Sequence, residues 1–125
     1  MAEATRLDDT FATEVAALED GKGIKQCLQC GVCSSSCPVR ALLPTFDPRR
    51  LIAKILLGLK EEVLASDEIW FCARCQQCTA NCHKNIRPGD IITAVRTLSL
   101  REGYRKTAGA KHTLAFLQDM ARHGE

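Results

Sequence analysis

The sequence predicts an all-α domain in which two cysteine-rich segments lie between helices. Apolar residues recur at helical intervals before, between and after these segments, as amphipathic helices require. No stretch alternates apolar and polar residues as a half-buried strand would, and no hairpin signal is found. The length of 125 residues fits one domain with a modest core and leaves no room for a large catalytic domain.

The N-terminal segment, residues 1–22, predicts the first helix. Its apolar residues at helical intervals are Leu7, Phe11, Val15 and Leu18. Asp8 or Thr10 can cap the start of this helix, and Gly21 with Gly23 can end it. We therefore expect an N-terminal helix to precede the cysteine-rich part of the chain.

The stretch "FDPRRLIAKILLGLK" between the two cysteine segments predicts a second helix. Asp47 is a favourable N-cap, and Pro48 suits the first helical position, where its missing N–H would have no partner anyway. The predicted apolar face comprises Leu51, Ile52, Ile55, Leu56 and Leu59. This helix links the two cysteine segments.

Two further helices are predicted after the second cysteine segment. Pro88 opens the first of them and Gly103 ends it, with Ile91, Val95 and Leu98 on its apolar face. The second spans roughly residues 108–123 within the C-terminal segment 104–125. Its apolar residues are Leu114, Phe116, Leu117, Met120 and Ala121. Because a helix with one apolar face must bury it, we expect part of this face to contact a neighbouring subunit.

Composition and charge exclude several classes of protein. The net charge of +2 is too small to indicate a nucleic-acid partner. The longest apolar stretch, "LIAKILLGL", is too short for a membrane span and is interrupted by Lys54. The first residues, "MAEATRLDDT", show no basic start followed by an apolar run. We therefore expect a soluble, cytoplasmic protein.

The eight cysteines form two short runs, "CLQCGVCSSSC" and "CARCQQCTANC". A reducing cytosol keeps thiols free, which favours metal ligation over a disulfide framework. Each run has the spacing CxxCxxCxxxC, and each cysteine of the first run recurs 45 residues later in the second. The sequence therefore contains an internal repeat whose two halves each carry four candidate metal ligands.

The spacing CxxCxxCxxxC is that of bacterial ferredoxins, in which three cysteines hold one [4Fe-4S] cluster and the fourth ligates the other. The two runs therefore predict two [4Fe-4S] clusters with crossed ligation. The first cluster would be held by Cys27, Cys30, Cys33 and Cys82, and the second by Cys72, Cys75, Cys78 and Cys37. A zinc-bound structural module stays open as an alternative, although such a site typically needs only two CxxC pairs.

Residues beside the cysteines allow two interpretations each. Trp70 and Phe71 could shield a cluster from water or belong to the ordinary core. The positive charges of Lys25, Arg74 and Lys84 could raise a cluster's reduction potential or simply be solvated. His83 is expected at the surface or behind the ligands. Further basic residues could orient a partner or form the wet side of two helices, namely Arg96, Arg101, Arg105, Lys106 and Lys111.

Cysteine runs of this kind between helices resemble the alpha-helical ferredoxin domain. The resemblance is closer still to the small C-type iron-sulfur subunits of heterodisulfide reductase and their bacterial homologues, and it covers residues 23–103. It rests on "CLQCGVCSSSCP", the apolar helix after "FDPR", "IWFCARCQQCTANC" and "RPGDII". The chain departs from the family pattern at His83, where a proline usually follows the fourth cysteine, whereas Pro38 fits.

This resemblance implies an electron-transfer subunit of a hetero-oligomeric complex. In the family, such a protein relays electrons between a flavin-containing partner of the A type and a partner of the B type, whose cysteine-rich domains bind the catalytic cluster. The residues agree with a non-catalytic role, since four thiolates saturate each cluster and no nucleophile and base accompany them. A free-standing soluble ferredoxin with the same two clusters is the main alternative.

Overall fold

The computed structural model describes residues 10–84, 86–104 and 108–123. Within these ranges the chain forms helices and short 3-10 turns but no strand, which confirms the predicted all-α class. The helices are α1 (Phe11–Ala17), α2 (Val32–Ser36), α3 (Pro38–Leu42), α4 (Pro48–Leu57), α5 (Lys60–Leu64), α6 (Gln77–Asn81), α7 (Pro88–Arg101) and α8 (Ala108–His123). The 3-10 turns span Glu19–Gly21, Ile24–Gln26 and Glu68–Trp70.

The N-terminal segment contributes α1 to the central core. Phe11 and Val15 are fully buried, and Leu18 packs at the edge of the same cluster of side chains. The helix begins after Thr10 and is followed by the 3-10 turn that ends at Gly21, as the sequence predicts. The predicted contributions of Leu7 and Asp8 lie outside the described residues.

Helix α4 follows the predicted pattern at its start and departs from it at its end. The Asp47 carboxylate accepts a hydrogen bond of 3.2 Å from the Arg50 N–H, and Pro48 occupies the first turn. The side chains of Leu51, Ile52 and Ile55 are buried, and Leu56 is partly buried against them. The helix stops at Gly58, whose φ of 84° is left-handed, so the inclusion of Leu59 in this helix was wrong.

Helix α7 is the longest helix in the central core, and its predicted bounds and apolar face are confirmed. It starts at Pro88, buries Ile91, Val95 and Leu98, and is followed by Gly103 with a φ of 89°. It packs against α1, α4, α5 and α6. The buried Ser99 hydroxyl donates a 2.7 Å hydrogen bond to the Leu64 carbonyl and so ties α7 to α5.

Helix α8 is anchored at its first turn and exposed beyond it. Gly109 lies so close to Trp70 that a Cβ on the glycine would sit 2.3 Å from the Trp70 Cβ, and Ala110 is fully buried. Farther along, Phe116 is 59% exposed, Leu117 50% and Met120 40%. The helix therefore has the predicted bounds but leaves much of its apolar face in solvent.

The division into an N-terminal helix (1–22), a dicluster domain (23–103) and a C-terminal helix (104–125) stays a prediction. None of the helices described is both long and apolar enough to cross a bilayer.

Candidate metal centre

The sequence repeat extends to the local structure around the cysteines. Helix α6 occupies the same position in the second run as α2 does in the first, and the two helices contact each other. A 3-10 turn precedes each run, and the equivalent residues Ile24 and Ile69 in these turns are both buried. The two cysteine loops are therefore anchored to the core in the same way and meet through their short helices.

Each cysteine loop turns through two residues with positive φ. Gln29 and Arg74 have φ values of 60° and 57°, and the positions that follow at Gly31 and Gln76 have 89° and 66°. The first of these turns points a backbone N–H back at a cysteine sulfur. The Gln29 N–H lies 3.4 Å from Cys27 Sγ, and the Arg74 N–H lies 3.3 Å from Cys72 Sγ. Both loops thus donate a backbone hydrogen bond to the sulfur of their first cysteine.

The first hollow has a volume of about 380 Å³ and opens between the first cysteine loop and the segment that leads into α7. Its cysteines are Cys27, Cys30, Cys33 and Cys82. Leu28, Arg49 and Lys84 also line it, together with the apolar side chains of Ile52 and Ile86. Three of its thiols therefore come from the first run, and one comes from the second.

The second hollow has a volume of about 330 Å³ and repeats this arrangement with the runs exchanged. Its cysteines are Cys37, Cys72, Cys75 and Cys78. Apolar side chains of Val39, Phe46 and Ile92 form part of its wall, and Arg74 also lines it. The last cysteine of each run thus faces the hollow of the other run.

The donor set suits a group larger than a single ion. In each hollow four thiols surround an open volume. Over residues 10–84, 86–104 and 108–123, no three His, Cys, Asp or Glu side chains are gathered closely enough to hold one metal ion. Thiolate sulfur is the donor that iron-sulfur clusters take. The residues present therefore fit such clusters, and the ligand role of the eight cysteines stays a prediction.

Burial makes several of the thiols hard to ionise without a bound cation. Desolvation raises the pKa of Cys33 to about 11 and also raises the pKa values of Cys72 and Cys78. A coordinating metal reverses this preference because its charge deprotonates the thiol outright. Cys30 and Cys75, by contrast, are exposed at the outer edge of the hollows.

A hydroxyl beside the third cysteine of each run ties the loop to the helix that follows it. In the first half, Ser34 donates to the Asp47 carboxylate and accepts a 3.0 Å hydrogen bond from the Arg49 N–H. Burial of Asp47 would raise the pKa of its carboxyl group, but the hydrogen bonds from Ser34 and the Arg50 N–H and nearby arginine charges outweigh this effect and lower it. The start of α4 is thereby fixed to α2.

In the second half the equivalent hydroxyl acts through a glutamine. Thr79 donates a 2.7 Å hydrogen bond to Gln76 Oε1, and Gln76 Nε2 donates one of 3.1 Å to the Asp90 carboxylate. Asp90 is buried in the first turn of α7 and also accepts the Arg87 guanidinium at 3.0 Å. The 45-residue repeat could have drawn attention to Gln76, because it aligns with Gly31.

The basic residues predicted beside the ligands differ in their surroundings. Lys84 lines the first hollow, and Arg74 lines the second, with its guanidinium 4.0 Å from the Asp90 carboxylate. The Lys25 ammonium instead donates a 2.8 Å hydrogen bond to the Thr13 hydroxyl on α1. His83 is exposed and lines neither hollow. Sequence reasoning missed Arg49, which carries no motif signal beyond its position after Pro48.

Arg96 is not on the wet side of its helix, as one interpretation of the sequence suggested. It is half-buried, with its guanidinium 5.3 Å from the centre of the Trp70 ring. Its Nε donates to the Ile69 carbonyl at 2.6 Å, and its Nη2 donates to the Cys72 carbonyl at 2.8 Å. The sequence carried a signal for this, because Arg96 lies four residues after the buried Ile92 and three before the buried Ser99. Trp70 itself packs against the core.

Comparison with protein families identifies the region around both hollows. The family model described as the 4Fe-4S dicluster domain matches residues 23–86. This range contains all eight cysteines.

The most similar relatives include two archaeal proteins, each named as a C-type iron-sulfur subunit of CoB-CoM heterodisulfide reductase. The chain is 38% identical over 92 residues to the one from Methanocaldococcus jannaschii, the second of its type there, covering 70% of this chain and 48% of that protein. It is 34% identical over 90 residues to the one from Methanopyrus kandleri, covering 72% and 46%. The chain thus spans about half the length of these curated relatives.

Proposed function

The chain belongs to the 4Fe-4S dicluster domain family, and from this membership we propose that it is an electron-transfer subunit that holds two [4Fe-4S] clusters. It would relay electrons between a flavin-containing partner and a cysteine-rich catalytic partner of a heterodisulfide reductase-like complex in the cytoplasm. The similarity to two proteins named as iron-sulfur subunits of CoB-CoM heterodisulfide reductase supports this role.

The proposed ligands of the first cluster are Cys27, Cys30, Cys33 and Cys82. Those of the second are Cys72, Cys75, Cys78 and Cys37. The observation that carries this proposal is the lining of the two hollows, each of which has three thiols from one run and the last thiol of the other. The bacterial ferredoxin spacing of both runs supports the same crossed assignment.

Bound in this way, each cluster would accept and release one electron at a time. The chain's own residues hold the sulfurs in position. The backbone N–H groups of Gln29 and Arg74 donate to Cys27 and Cys72, which stabilises negative charge on those sulfurs. Four cysteines for each cluster leave no corner for a substrate, so the proposed subunit performs no substrate chemistry of its own.

The exposed cysteines mark where electrons would enter and leave. Cys30 lies at the outer edge of the first hollow, and Cys75 lies at the outer edge of the second. Because α2 and α6 contact each other, the two hollows are neighbours. A partner at each edge would therefore exchange electrons across the pair of clusters.

The proposed hetero-oligomer gives the exposed face of α8 an occupant. Phe116, Leu117 and Met120 form an apolar surface, and flexible methionine adapts well to a partner's surface. We expect this surface to contact another subunit of the complex, while Gly109 and Ala110 keep the helix attached to the domain.

Metal and sulfide analysis tests the cofactor content. Anaerobically purified protein should be brown and contain about eight irons and about eight acid-labile sulfides, as two cubane clusters require. Stoichiometric zinc with negligible sulfide would instead establish the zinc-bound structural module.

Purification of the native complex tests the partners. Flavin-containing and cysteine-rich proteins should co-purify with the wild-type chain and be lost from a Phe116→Glu, Leu117→Glu variant that keeps its iron. Gln118→Glu, at an exposed neighbouring position, is the matched control and should retain them. A wild-type chain that purifies alone with both clusters would favour the free-standing ferredoxin.

A further inference from the structure

Arg96 is held more firmly than any role in solvation requires. Two of its guanidinium nitrogens donate to backbone carbonyls at 2.6 and 2.8 Å, one on each side of the turn that leads into the second cysteine run. The ring of Trp70, which lies between the two acceptor residues in the chain, is 5.3 Å away. The side chain thus clasps the segment from Ile69 to Cys72.

The charge of Arg96 has no carboxylate to balance it. Within the described part of the chain, no Asp or Glu lies within ion-pair distance of this guanidinium, whereas Arg40, Arg50, Arg74 and Arg87 each have one. Arg96 is also half-buried, so solvent screens its charge less than that of an exposed arginine. Its positive charge therefore acts on its immediate surroundings, which include Cys72.

The first half of the repeat lacks this feature. Helices α4 and α7 each begin with a proline, and Leu56 stands in α4 where Arg96 stands in α7, counted from that proline. Leu56 is apolar and packs against the core. Both halves share the cysteine spacing and the N–H to sulfur bonds, but only the second has a partly buried cation on the helix behind its loop.

We propose that Arg96 is a positioning residue for the second hollow that also makes the two clusters electrochemically unequal. Its two hydrogen bonds hold the backbone that presents Cys72, and its charge stabilises the more negative, reduced state of the cluster next to that cysteine. The inference rests on the proposed ligation of clusters in both hollows.

Reduction potentials measured by EPR-monitored titration of the purified protein test this role. Arg96→Gln should shift one of the two potentials to a more negative value and leave the other unchanged. The shifted potential should belong to the cluster whose EPR signal Cys75→Ser alters, and not to the one that Cys30→Ser alters. Arg96→Lys keeps the charge but not the planar fork, so its shift should be smaller than that of Arg96→Gln.

Arg101→Gln is the matched control, because Arg101 is an exposed arginine at the end of the same helix. It should leave both potentials unchanged. The proposal is overturned if Arg96→Gln retains full iron and sulfide but moves neither potential, or moves both equally. Full iron and sulfide in that variant would leave the proposed cluster content intact, so the two proposals can fail separately. If Arg96→Gln loses its second cluster, Arg96→Lys decides, and two unchanged potentials in that variant would overturn the role.

Discussion

At the scale of single residues, the cysteine loops depend on a backbone shape that most side chains disfavour. Gln29, Arg74 and Gln76 adopt positive φ despite carrying a Cβ, and Gly31 completes the set. Such conformations cost free energy for residues other than glycine, so other contacts must compensate. Gln76 has such contacts in its hydrogen bonds with Thr79 and Asp90.

Gly31 gives the clearest test of this backbone shape. Its φ is 89°, and an added Cβ would meet only the Arg49 side chain, at an ordinary distance of 3.7 Å. Gly31→Ala should therefore lower the free energy of unfolding by about 1 kcal/mol through the left-handed conformation alone. Anaerobic denaturant titration, followed by loss of cluster absorbance, measures the effect.

Gly31→Asn is the matched control for that substitution. Asparagine tolerates the left-handed region better than alanine, so it should cost less. An alanine variant as stable as the wild type would contradict the structure of this loop.

The cysteines could be assigned from sequence because their spacing is itself the chemical signal. Arg49 and Arg96 could not, since an arginine on a predicted helix has the same sequence signature whether its guanidinium reaches water or a backbone carbonyl. Arg96 lies among buried positions of α7, but its two acceptors, on Ile69 and Cys72, come from a segment more than twenty residues earlier. Such a contact depends on tertiary packing, which periodicity does not reveal.

At the scale of secondary-structure elements, Asp47 joins two of them. Its carboxylate caps α4 through the Arg50 N–H and accepts the Ser34 hydroxyl from α2. Asp47→Ala should therefore lower the free energy of unfolding by about 1–2 kcal/mol, at the upper part of the range for N-cap losses. Asp67→Ala, at an exposed position that makes no side-chain cap, should change it by less than about 0.5 kcal/mol.

The contribution of Asp47 should also depend on pH in a defined direction. Because the folded state lowers the pKa of this carboxyl group, its stabilisation is complete above the ordinary carboxyl pKa and is lost as pH falls through the lowered value. The difference in stability between the wild type and Asp47→Ala should therefore shrink on acidification. A difference that is constant with pH, or no difference at neutral pH, would contradict the cap.

The longer helices could be predicted closely and the shorter ones could not. The bounds of α8 and the start of α7 agree with the sequence because apolar periodicity, proline and glycine all indicate them. Gly58 was not recognised as a helix end because apolar residues continue on both sides of it. Helices α2, α3, α5 and α6 span five residues each, which is too short for a periodic signal.

At the scale of the whole molecule, the two cysteine runs form one unit. The last thiol of each run lines the hollow of the other, and α2 packs on α6 between them. Clusters ligated in this way would crosslink the two halves of the chain. Cluster loss and unfolding should then be linked, because ligands that bind only the folded state stabilise it.

Crossed ligation by Cys37 and Cys82 is the central claim, and EPR spectra of reduced serine variants test it most directly. Cys30→Ser and Cys75→Ser first identify the signals of the two clusters. Cys37→Ser should then alter the signal that Cys75→Ser alters, and Cys82→Ser should alter the signal that Cys30→Ser alters. If Cys37→Ser instead alters the same signal as Cys30→Ser, each run holds its own cluster and the crossed arrangement is contradicted.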